Sequence, residues 1–256
     1  MKLFFTFLCT AWMSLFLSAE TIEREFQIKG HPSLILSNIS GDITIEQGKT
    51  HTIAIEADNP NPEVEILFEQ KGDRVTVETK YPKNNTGIRK GVEFRVQVPN
   101  YCDLKINSVS GDVKLSHVEG RIYLNTVSGD LDMEETGGHL KLNSVSGDIM
   151  IKGLDNCDLE ANSVSGDLVL TKARLESGVY EFNTTSGDIE IWHGQGASYR
   201  ISGQAISGSM SNETNGDIVI KKAKYGGKRS IDGSYGSGKA EVDINTISGD
   251  LTVGVQ

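Results

Sequence analysis

The sequence lacks three features that would point to common classes of protein. Beyond its first residues, no window has the apolar spacing of an amphipathic helix, which argues for an all-β fold. No second apolar run approaches the roughly 20 residues that a membrane span needs, so we expect no transmembrane segment in the mature chain. Basic residues are not in excess. The 25 lysines and arginines face 35 acidic residues, and the net charge of −10 excludes a nucleic-acid partner, whose phosphates require a basic surface.

The N-terminal residues have the layout of a secretory signal peptide. Lys2 is followed by an apolar run over residues 3–17 and then by Ser18 and Ala19. This pattern predicts a signal peptide over residues 1–19 with cleavage near Ala19, and an uncleaved N-terminal anchor is the alternative. We therefore expect an exported protein that is periplasmic, at the cell surface or secreted.

A repeated triplet organises the rest of the chain. Ser-Gly-Asp occurs seven times, beginning at Ser40, Ser110, Ser128, Ser146, Ser165, Ser186 and Ser248. From Asp112 to Asp188, successive Asp residues of the triplet are 18, 18, 19 and 21 residues apart. A period of this length is typical of solenoids, in which each repeat contacts only its neighbours.

Equivalent positions of the repeats form columns, which we number from the Asp of the triplet as position 0. Positions −8, −6, −3, +1 and +3 are apolar in almost every copy. In the repeat around Asp148 they hold Leu140, Leu142, Val145, Ile149 and Ile151. Because side chains alternate along a strand, we expect all five columns to face the interior, the valine at −3 included. Ala161 interrupts column −6, and Phe182 in the next repeat would fill the volume that it leaves.

These patterns predict an all-β parallel β-helix, or solenoid, with rungs of 18–21 residues and right-handed crossovers. Residues 20–100 are less regular and are predicted to form an irregular β N-terminal cap, continuous with the repeat region at 101–256. Residues 221–239 are rich in Gly, Ser and Lys, which is typical of a loop. Residues 242–253 form a full final rung whose last strand would leave an open edge. We therefore expect end-to-end self-association or a cap folded over that strand.

Two cysteines remain beyond the signal peptide, Cys102 and Cys157. Both occupy position −10, three rungs apart, so strands spaced by about 4.8 Å would separate them by roughly 14 Å. A disulfide needs Cα atoms within about 7 Å of each other. The repeat therefore predicts two buried free thiols.

Two polar columns accompany the triplet. Position −5 is asparagine at Asn107, Asn125, Asn143, Asn162, Asn183 and Asn245. Stacked amides can donate and accept along the axis, which predicts an asparagine ladder. Position 0 places like charges about 5 Å apart, so the carboxylates must fan out into solvent, accept hydrogen bonds that offset the repulsion, or bind a cation. Turn capping is the structural interpretation. The alternative is a calcium ladder formed by Asp112, Asp130, Asp148, Asp167 and Asp188.

Four aromatic residues lie in or near the segment where the repeat loosens, namely Trp192, Tyr199, Tyr225 and Tyr235. They are candidates for a ligand surface on which a sugar could stack, although scattered aromatic residues also cap the ends of solenoids. No Ser/His/Asp or Cys/His spacing indicates a catalytic centre. We therefore predict no catalytic residues and no cofactor other than the calcium alternative.

Several sequence features together indicate a family. They are Ser-Gly-Asp-Ile at 40–43, Val-Pro at 98–99, the Asn-[Ser/Thr]-Val-Ser-Gly-Asp rungs and Thr-Ile-Ser-Gly-Asp at 246–250. On these features the chain resembles bacterial exported β-strand-repeat domains of unknown function that carry the name "putative adhesin", over nearly all of its mature length. The resemblance implies a β-helix at the cell envelope, and no catalytic residues belong to the family's pattern.

The function expected from the sequence is that of a non-enzymatic envelope scaffold or adhesin that binds a surface polymer or protein. One alternative is a polysaccharide-active β-helix enzyme, which would need an asymmetric acidic or basic cluster on one face. The other is a purely structural or stress-linked envelope protein without a ligand.

Overall fold

The structure, a computed structural model, describes residues 20–82, 90–155, 157–224 and 226–256. These residues form β-strands joined by turns, with no helix among them, which confirms the all-β prediction. The predicted signal peptide at residues 1–19 lies outside the described residues. In the described part of the chain, no helix is long and apolar enough to cross a membrane.

The strands of the described residues are short and follow one another closely. In chain order they are β1 Glu20–Gln27, β2 Ser33–Ser40, β3 Ile43–Gln47, β4 Thr52–Asn59, β5 Glu65–Lys71, β6 Arg74–Lys80, β7 Glu93–Val98, β8 Asp103–Ser110, β9 Val113–Ser116, β10 Glu119–Ser128, β11 Leu131–Glu134, β12 Gly137–Ser146, β13 Ile149–Lys152, β14 Asp158–Ser165, β15 Leu168–Ala173, β16 Val179–Ser186, β17 Ile189–His193, β18 Tyr199–Ser207, β19 Met210–Glu213, β20 Asp217–Lys222, β21 Arg229–Tyr235, β22 Ala240–Ser248 and β23 Leu251–Val255.

The strands form two large mixed sheets. The first sheet has the order β1-β4-β7-β3-β9-β11-β13-β15-β17-β23-β19. The second sheet has the order β20-β21-β18-β22-β16-β14-β12-β10-β8-β2-β6-β5. Each Ser-Gly-Asp turn connects a strand of the second sheet to a strand of the first, for example β12 to β13. Each repeat therefore contributes one strand to each sheet.

Successive repeats pair in parallel at equivalent positions. In the second sheet Leu140 lies opposite Ile122 on one side and Leu159 on the other. The side chains at positions −8, −6, +1 and +3 of the repeats join one buried core cluster between the sheets. Ala161 and Phe182 lie opposite each other, as predicted, and are 0% and 1% exposed.

The order of the rungs in space differs from their order in sequence at both ends. The early copy, β2 and β3, lies directly beside β8 and β9. The last copy, β22 and β23, lies between β16/β17 on one side and β18/β19 on the other. The last strand does not leave an open edge, because β23 is hydrogen-bonded on both sides. Of the two expected outcomes, the cover over this strand is confirmed, and β18/β19 forms it. The reason for end-to-end self-association through that strand is thereby removed.

Residues 221–239 do not form a single loop, contrary to the prediction. β20 extends to Lys222, and β21 pairs antiparallel with both β20 and β18. Ile231 in β21 is only 1% exposed. A segment rich in Gly and Ser forms a strand here because one of its side chains reaches the core while its backbone extends the second sheet.

Cys102 and Cys157 are both free and buried, as predicted. Burial raises the pKa of each thiol to about 12. Because the thiolate is the reactive form of cysteine, both side chains are inert packing groups at neutral pH.

Candidate functional site

The turn from the second sheet into the first recurs in eight stacked rungs, which we call the Ser-Gly-Asp corner. Position 0 of these rungs is held, along the stack, by Ser209, Asp250, Asp188, Asp167, Asp148, Asp130, Asp112 and Asp42. The glycine at −1 has a positive φ in most rungs, 149° at Gly147, which lets the chain turn sharply. At about 4.8 Å per rung, the corner is roughly 34 Å long.

Position −5 forms the predicted asparagine ladder. Asn143 Nδ2 donates to Asn125 Oδ1 at 2.9 Å, and Asn143 Oδ1 accepts from Asn162 Nδ2 at 3.1 Å. The same bond continues the ladder to Asn107 at one end and to Asn245 at the other. The amides are half-buried and satisfy one another. The ladder therefore stabilises the stack and does not offer free binding groups.

Position −4 holds a buried hydroxyl group in six of the eight rungs, and the other two rungs have the buried residues Asn38 and Ala205 there. The six hydroxyl residues, 3 to 6% exposed, are Ser108, Thr126, Ser144, Ser163, Thr184 and Thr246. Ser108 Oγ donates to the carbonyl of Gly111 at 3.5 Å, whereas four other hydroxyls of the column have no hydrogen-bond partner in the structure. The small polar residues at −4 thus face the interior. The residue that follows each of them, at −3, must face outward because side chains alternate.

Position −3 is consequently exposed, and the prediction that its side chains are buried is wrong. Seven aliphatic residues of this column are 43 to 53% exposed, namely Ile39, Val109, Val127, Val145, Val164, Ile206 and Ile247. Thr185 is the eighth member and is exposed as well. β-Branched side chains favour an extended backbone, and the backbone before the turn is extended. Their presence at this position therefore does not require burial. We call this column the aliphatic row.

Position 0 places a row of carboxylates beside the aliphatic row. In each case Oδ1 accepts a hydrogen bond from the backbone N–H at position 0 of the next rung, at 2.6 to 3.0 Å. We call Asp42, Asp112, Asp130, Asp148, Asp167, Asp188 and Asp250 the carboxylate row. The described residues include no group of three or more His, Cys, Asp or Glu side chains that could hold a metal ion. The calcium ladder therefore stays a hypothesis.

Substitutions at Asp148 separate the two interpretations of the carboxylate row. We expect Asp148→Asn to keep the stability of the wild type, because the amide oxygen still accepts the N–H of Asp167. Asp148→Ala should lower the free energy of unfolding by about 1 kcal/mol through loss of that bond. Urea unfolding, repeated with calcium and with EDTA, measures both effects. A calcium-dependent gain in stability that disappears in Asp148→Asn would establish a metal site instead of a turn cap.

The four candidate aromatic residues do not form one exposed surface. Tyr199 is completely buried and cannot stack on a sugar, so the ligand-surface prediction is wrong for it. Tyr235 is partly buried and stacks on Tyr199 with ring centroids 5.7 Å apart. Trp192 is partly exposed and donates from Nε1 to Glu190 at 2.9 Å. Tyr225 lies outside the described residues.

His193 completes this aromatic cluster and is also fully buried. Nδ1 lies 2.9 Å from the carbonyl oxygen of Gly194, which can only accept, so Nδ1 carries the hydrogen. Nε2 then accepts a hydrogen bond from the hydroxyl of Tyr199 at 2.8 Å. Burial lowers the pKa of His193, since a charged ring would be desolvated at this position. The neutral ring therefore has both nitrogens satisfied.

The lowered pKa of His193 predicts acid sensitivity. Above about pH 6.5 the ring is neutral in both the folded and the unfolded chain, and it contributes no pH dependence. Below that pH the unfolded chain takes up the proton first. The free energy of unfolding should then fall by up to about 1.4 kcal/mol per pH unit until the folded-state pKa is reached. Urea unfolding of the wild type and of His193→Gln at several pH values isolates the contribution of His193 to the free energy of unfolding. His117→Gln, at an exposed histidine, is the control. Equal slopes for wild type and His193→Gln between pH 6.5 and 5 would contradict the predicted acid sensitivity.

A groove of about 520 Å³ lies on the second sheet and is lined by residues of β16, β18, β21 and β22. Its lining includes four acidic residues, Glu181, Asp232, Glu241 and Asp243, together with Arg200. Asp243 accepts hydrogen bonds from Ser202 Oγ, at 2.8 Å, and from Asn245. This is an asymmetric acidic cluster that the regular repeat does not show. It arises because the inserted rung β22 brings residues from distant segments together.

Comparisons with known proteins agree with the repeat pattern. A family model described as Toastrack DUF4097 matches residues 102–254. No curated protein matches the chain significantly.

Solved structures of low sequence identity also match. One, described as a "putative cell adhesion protein" from Clostridium sporogenes, is 13% identical and has a TM-score of 0.39 over 93% of this chain and 100% of its own. A "putative adhesin" from Bacteroides fragilis is 13% identical, with a TM-score of 0.42 over 93% and 98% of the two chains. A "putative lipid binding protein" from Parabacteroides distasonis is 14% identical, with a TM-score of 0.49 over 91% and 96%. Likeness at this level carries no argument about function.

Proposed function

Because the matching family model spans more than half of it, the chain belongs to the Toastrack DUF4097 family, and we propose that it is a non-enzymatic binding scaffold of the cell envelope. Its partner is a surface polymer or protein that contacts the Ser-Gly-Asp corner. The signal-peptide pattern at residues 1–19 supports export of the chain. The parallel pairing of equivalent positions supports a solenoid of 18–21-residue rungs as the scaffold.

The aliphatic row is the observation that carries this proposal. Apolar side chains scattered singly over a surface need no explanation, whereas a contiguous apolar patch of several hundred Å² commonly marks a binding surface. Here seven aliphatic side chains, each about half exposed, stand in one line across eight rungs, and only Thr185, between Ile247 and Val164, interrupts it. A line of this length suits an extended macromolecular partner better than a small molecule.

A polysaccharide-active enzyme is the second candidate, and the acidic groove favours it. Glycoside hydrolysis commonly uses a pair of carboxylates that flank the scissile bond, and the groove holds four acidic residues beside Arg200. The groove is open to solvent and also suits a binding role. The two candidates differ in whether the bound polymer is cleaved.

One experiment distinguishes these functions. The full chain is incubated with immobilised envelope polysaccharides, host glycans and surface proteins, and both retention and product release are measured. We expect retention without turnover, and retention should fall when Val127, Val145 and Val164 of the aliphatic row are all replaced by Thr. Release of oligosaccharide products, abolished by Glu181→Gln/Glu241→Gln, would overturn the scaffold proposal in favour of the enzyme.

A further inference from the structure

The Ser-Gly-Asp corner presents two parallel rows of different chemistry. The aliphatic row at −3 and the carboxylate row at 0 are separated only by the small residues Ser and Gly. Both rows repeat at the strand spacing of about 4.8 Å and run along the same stack. A partner that follows the corner therefore meets an apolar line and an anionic line side by side.

Within the described part of the chain, the carboxylate row takes part in no ion pair. The ion pairs found among the described residues lie elsewhere, for example Arg95 with Glu56 and Lys141 with Glu160, and none of them reaches position 0 of a rung. Each member uses Oδ1 to cap the next rung, and no ion pair among residues 20–82, 90–155, 157–224 and 226–256 offsets its charge. The whole chain carries a net charge of −10, which also favours a cationic partner over an anionic one.

Charge complementarity narrows the choice of partner. An anionic lipid surface and a nucleic acid would both be repelled by the carboxylate row. A second copy of this chain would bring an identical negative row and the same net charge to the interface. A partner with cations beside an apolar face is complementary to both rows at once.

The repeat distance favours a helical partner over an extended one. Successive turns of an α-helix are 5.4 Å apart, which differs from the rung spacing by about 0.6 Å. The apolar side chains on successive turns of a helix therefore stay aligned with successive side chains of the aliphatic row, to within half the rung spacing, for about four turns. In an extended strand, residues on the same face are about 6.8 Å apart. They are out of alignment with the aliphatic row, by more than half the rung spacing, after little more than one such residue. A helix as long as the corner, roughly 34 Å, has about 22 residues.

We propose that the Ser-Gly-Asp corner binds a basic amphipathic helix of a peptide or protein partner, with its apolar stripe on the aliphatic row and its Lys or Arg side chains on the carboxylate row. This inference rests on the proposed function, in which the corner is the binding surface. It adds the chemistry and the conformation of the partner. Long basic side chains suit the arrangement because their apolar stems can cover Ser and Gly while their charged ends reach the carboxylates.

The test uses a labelled synthetic peptide of about 22 residues with Leu at helical spacing and Lys on the adjoining face. Binding of the full chain is measured by fluorescence anisotropy at low and at physiological salt. Two comparison peptides have the same composition, one scrambled and one with Leu and Lys strictly alternating. We expect the helical peptide to bind at least about tenfold more tightly than either, a difference that corresponds to about 1.4 kcal/mol.

Two sets of variants assign the contact to the two rows. Val127→Thr/Val145→Thr/Val164→Thr should weaken binding about tenfold, and the exposed Thr185 shows that the column accepts threonine. Val219→Thr, at a residue 53% exposed in β20 and outside both the aliphatic row and the acidic groove, is the control for loss of an exposed valine. Asp130→Asn/Asp148→Asn/Asp167→Asn keeps the capping oxygens and should remove much of the salt dependence. Glu23→Gln/Glu65→Gln/Glu78→Gln is its control for net charge. Unfolding midpoints verify that all variants are folded.

The outcomes separate this inference from the proposed function. Equal binding of the scrambled peptide, or equal loss in each row variant and its control, would overturn the helix inference. If the helical peptide does not bind but the valine-to-threonine triple variant loses a surface polymer, the scaffold function stands and the helix inference fails. If neither polymer nor peptide binds to the wild type, both are wrong.

Discussion

Gly147→Ala is expected to lower the free energy of unfolding by about 4 kcal/mol or more. Gly147 has a φ of 149°, a region that residues with a side chain rarely adopt. A Cβ at this position would also lie 2.3 Å from the carbonyl oxygen of Gly129 in the adjacent rung. That oxygen belongs to backbone that is hydrogen-bonded on both sides, so it cannot move without disturbing two rungs.

Two other glycines serve as matched controls for this substitution. Gly72 has a φ of 62°, but a Cβ added there would have no atom within 4 Å, so Gly72→Ala should cost about 1 kcal/mol from backbone conformation alone. Gly194 also has no close neighbour and no positive φ, so Gly194→Ala should change stability by less than about 0.5 kcal/mol. Urea unfolding of the three variants measures the differences. A cost at Gly147 no greater than that at Gly72 would show that the rungs can move apart at the corner.

Phe182→Ala should cost about 3 to 5 kcal/mol, because it opens a cavity in a closely packed column. Phe182 is 1% exposed and lies between Ala161 on one side and Ile244 on the other. The ring compensates for the small Ala161, so the pair should behave as a unit. Ala161→Leu alone should cost about 1 to 3 kcal/mol by overpacking against the ring.

The double variant Ala161→Leu/Phe182→Leu tests the coupling between the two positions. It restores two leucines to a column that holds Leu142 and Leu124 in preceding rungs. We expect its cost to be smaller than the sum of the costs of Ala161→Leu and Phe182→Leu by more than about 0.5 kcal/mol. Denaturant unfolding of the wild type, both single variants and the double variant completes the cycle. Strict additivity would mean that the two side chains do not share the volume between them.

The regular part of the fold could be predicted from the sequence because one period fixes many contacts together. Once Asn125, Asn143 and Asn162 are placed in one column, parallel pairing at that register follows, and the amide ladder follows from the pairing. The separation of Cys102 from Cys157 follows from the same period. These features depend only on the distance between copies, which is explicit in the sequence.

The candidate site was harder to predict because it depends on which residues of each strand face inward and on which rungs are neighbours in space. Val145 is apolar and β-branched, which suits both a buried and an exposed strand position, and only the inward-facing Ser144 decides between them. The repeat period also does not indicate which rungs become neighbours. No feature of the sequence around Tyr199 or Glu241 predicts that β18 lies beside β22. The acidic groove and the buried aromatic cluster both follow from that unpredicted neighbour.

The insertion of β22/β23 between two earlier rungs also has a consequence for how the molecule assembles. Stacking can spread from rung to rung along most of the chain, because each new rung docks on one already made, only 18 to 21 residues back. At the C-terminal end, however, Asn245 and Asp250 bond to residues 62 positions earlier, and the parallel partner of β18/β19 is β22/β23. When the chain is synthesised from its N-terminus, β18/β19 therefore cannot complete its parallel pairing until β22/β23 is available. The pairing of β22/β23 with β16/β17 is therefore the long-range contact that completes this end of the stack.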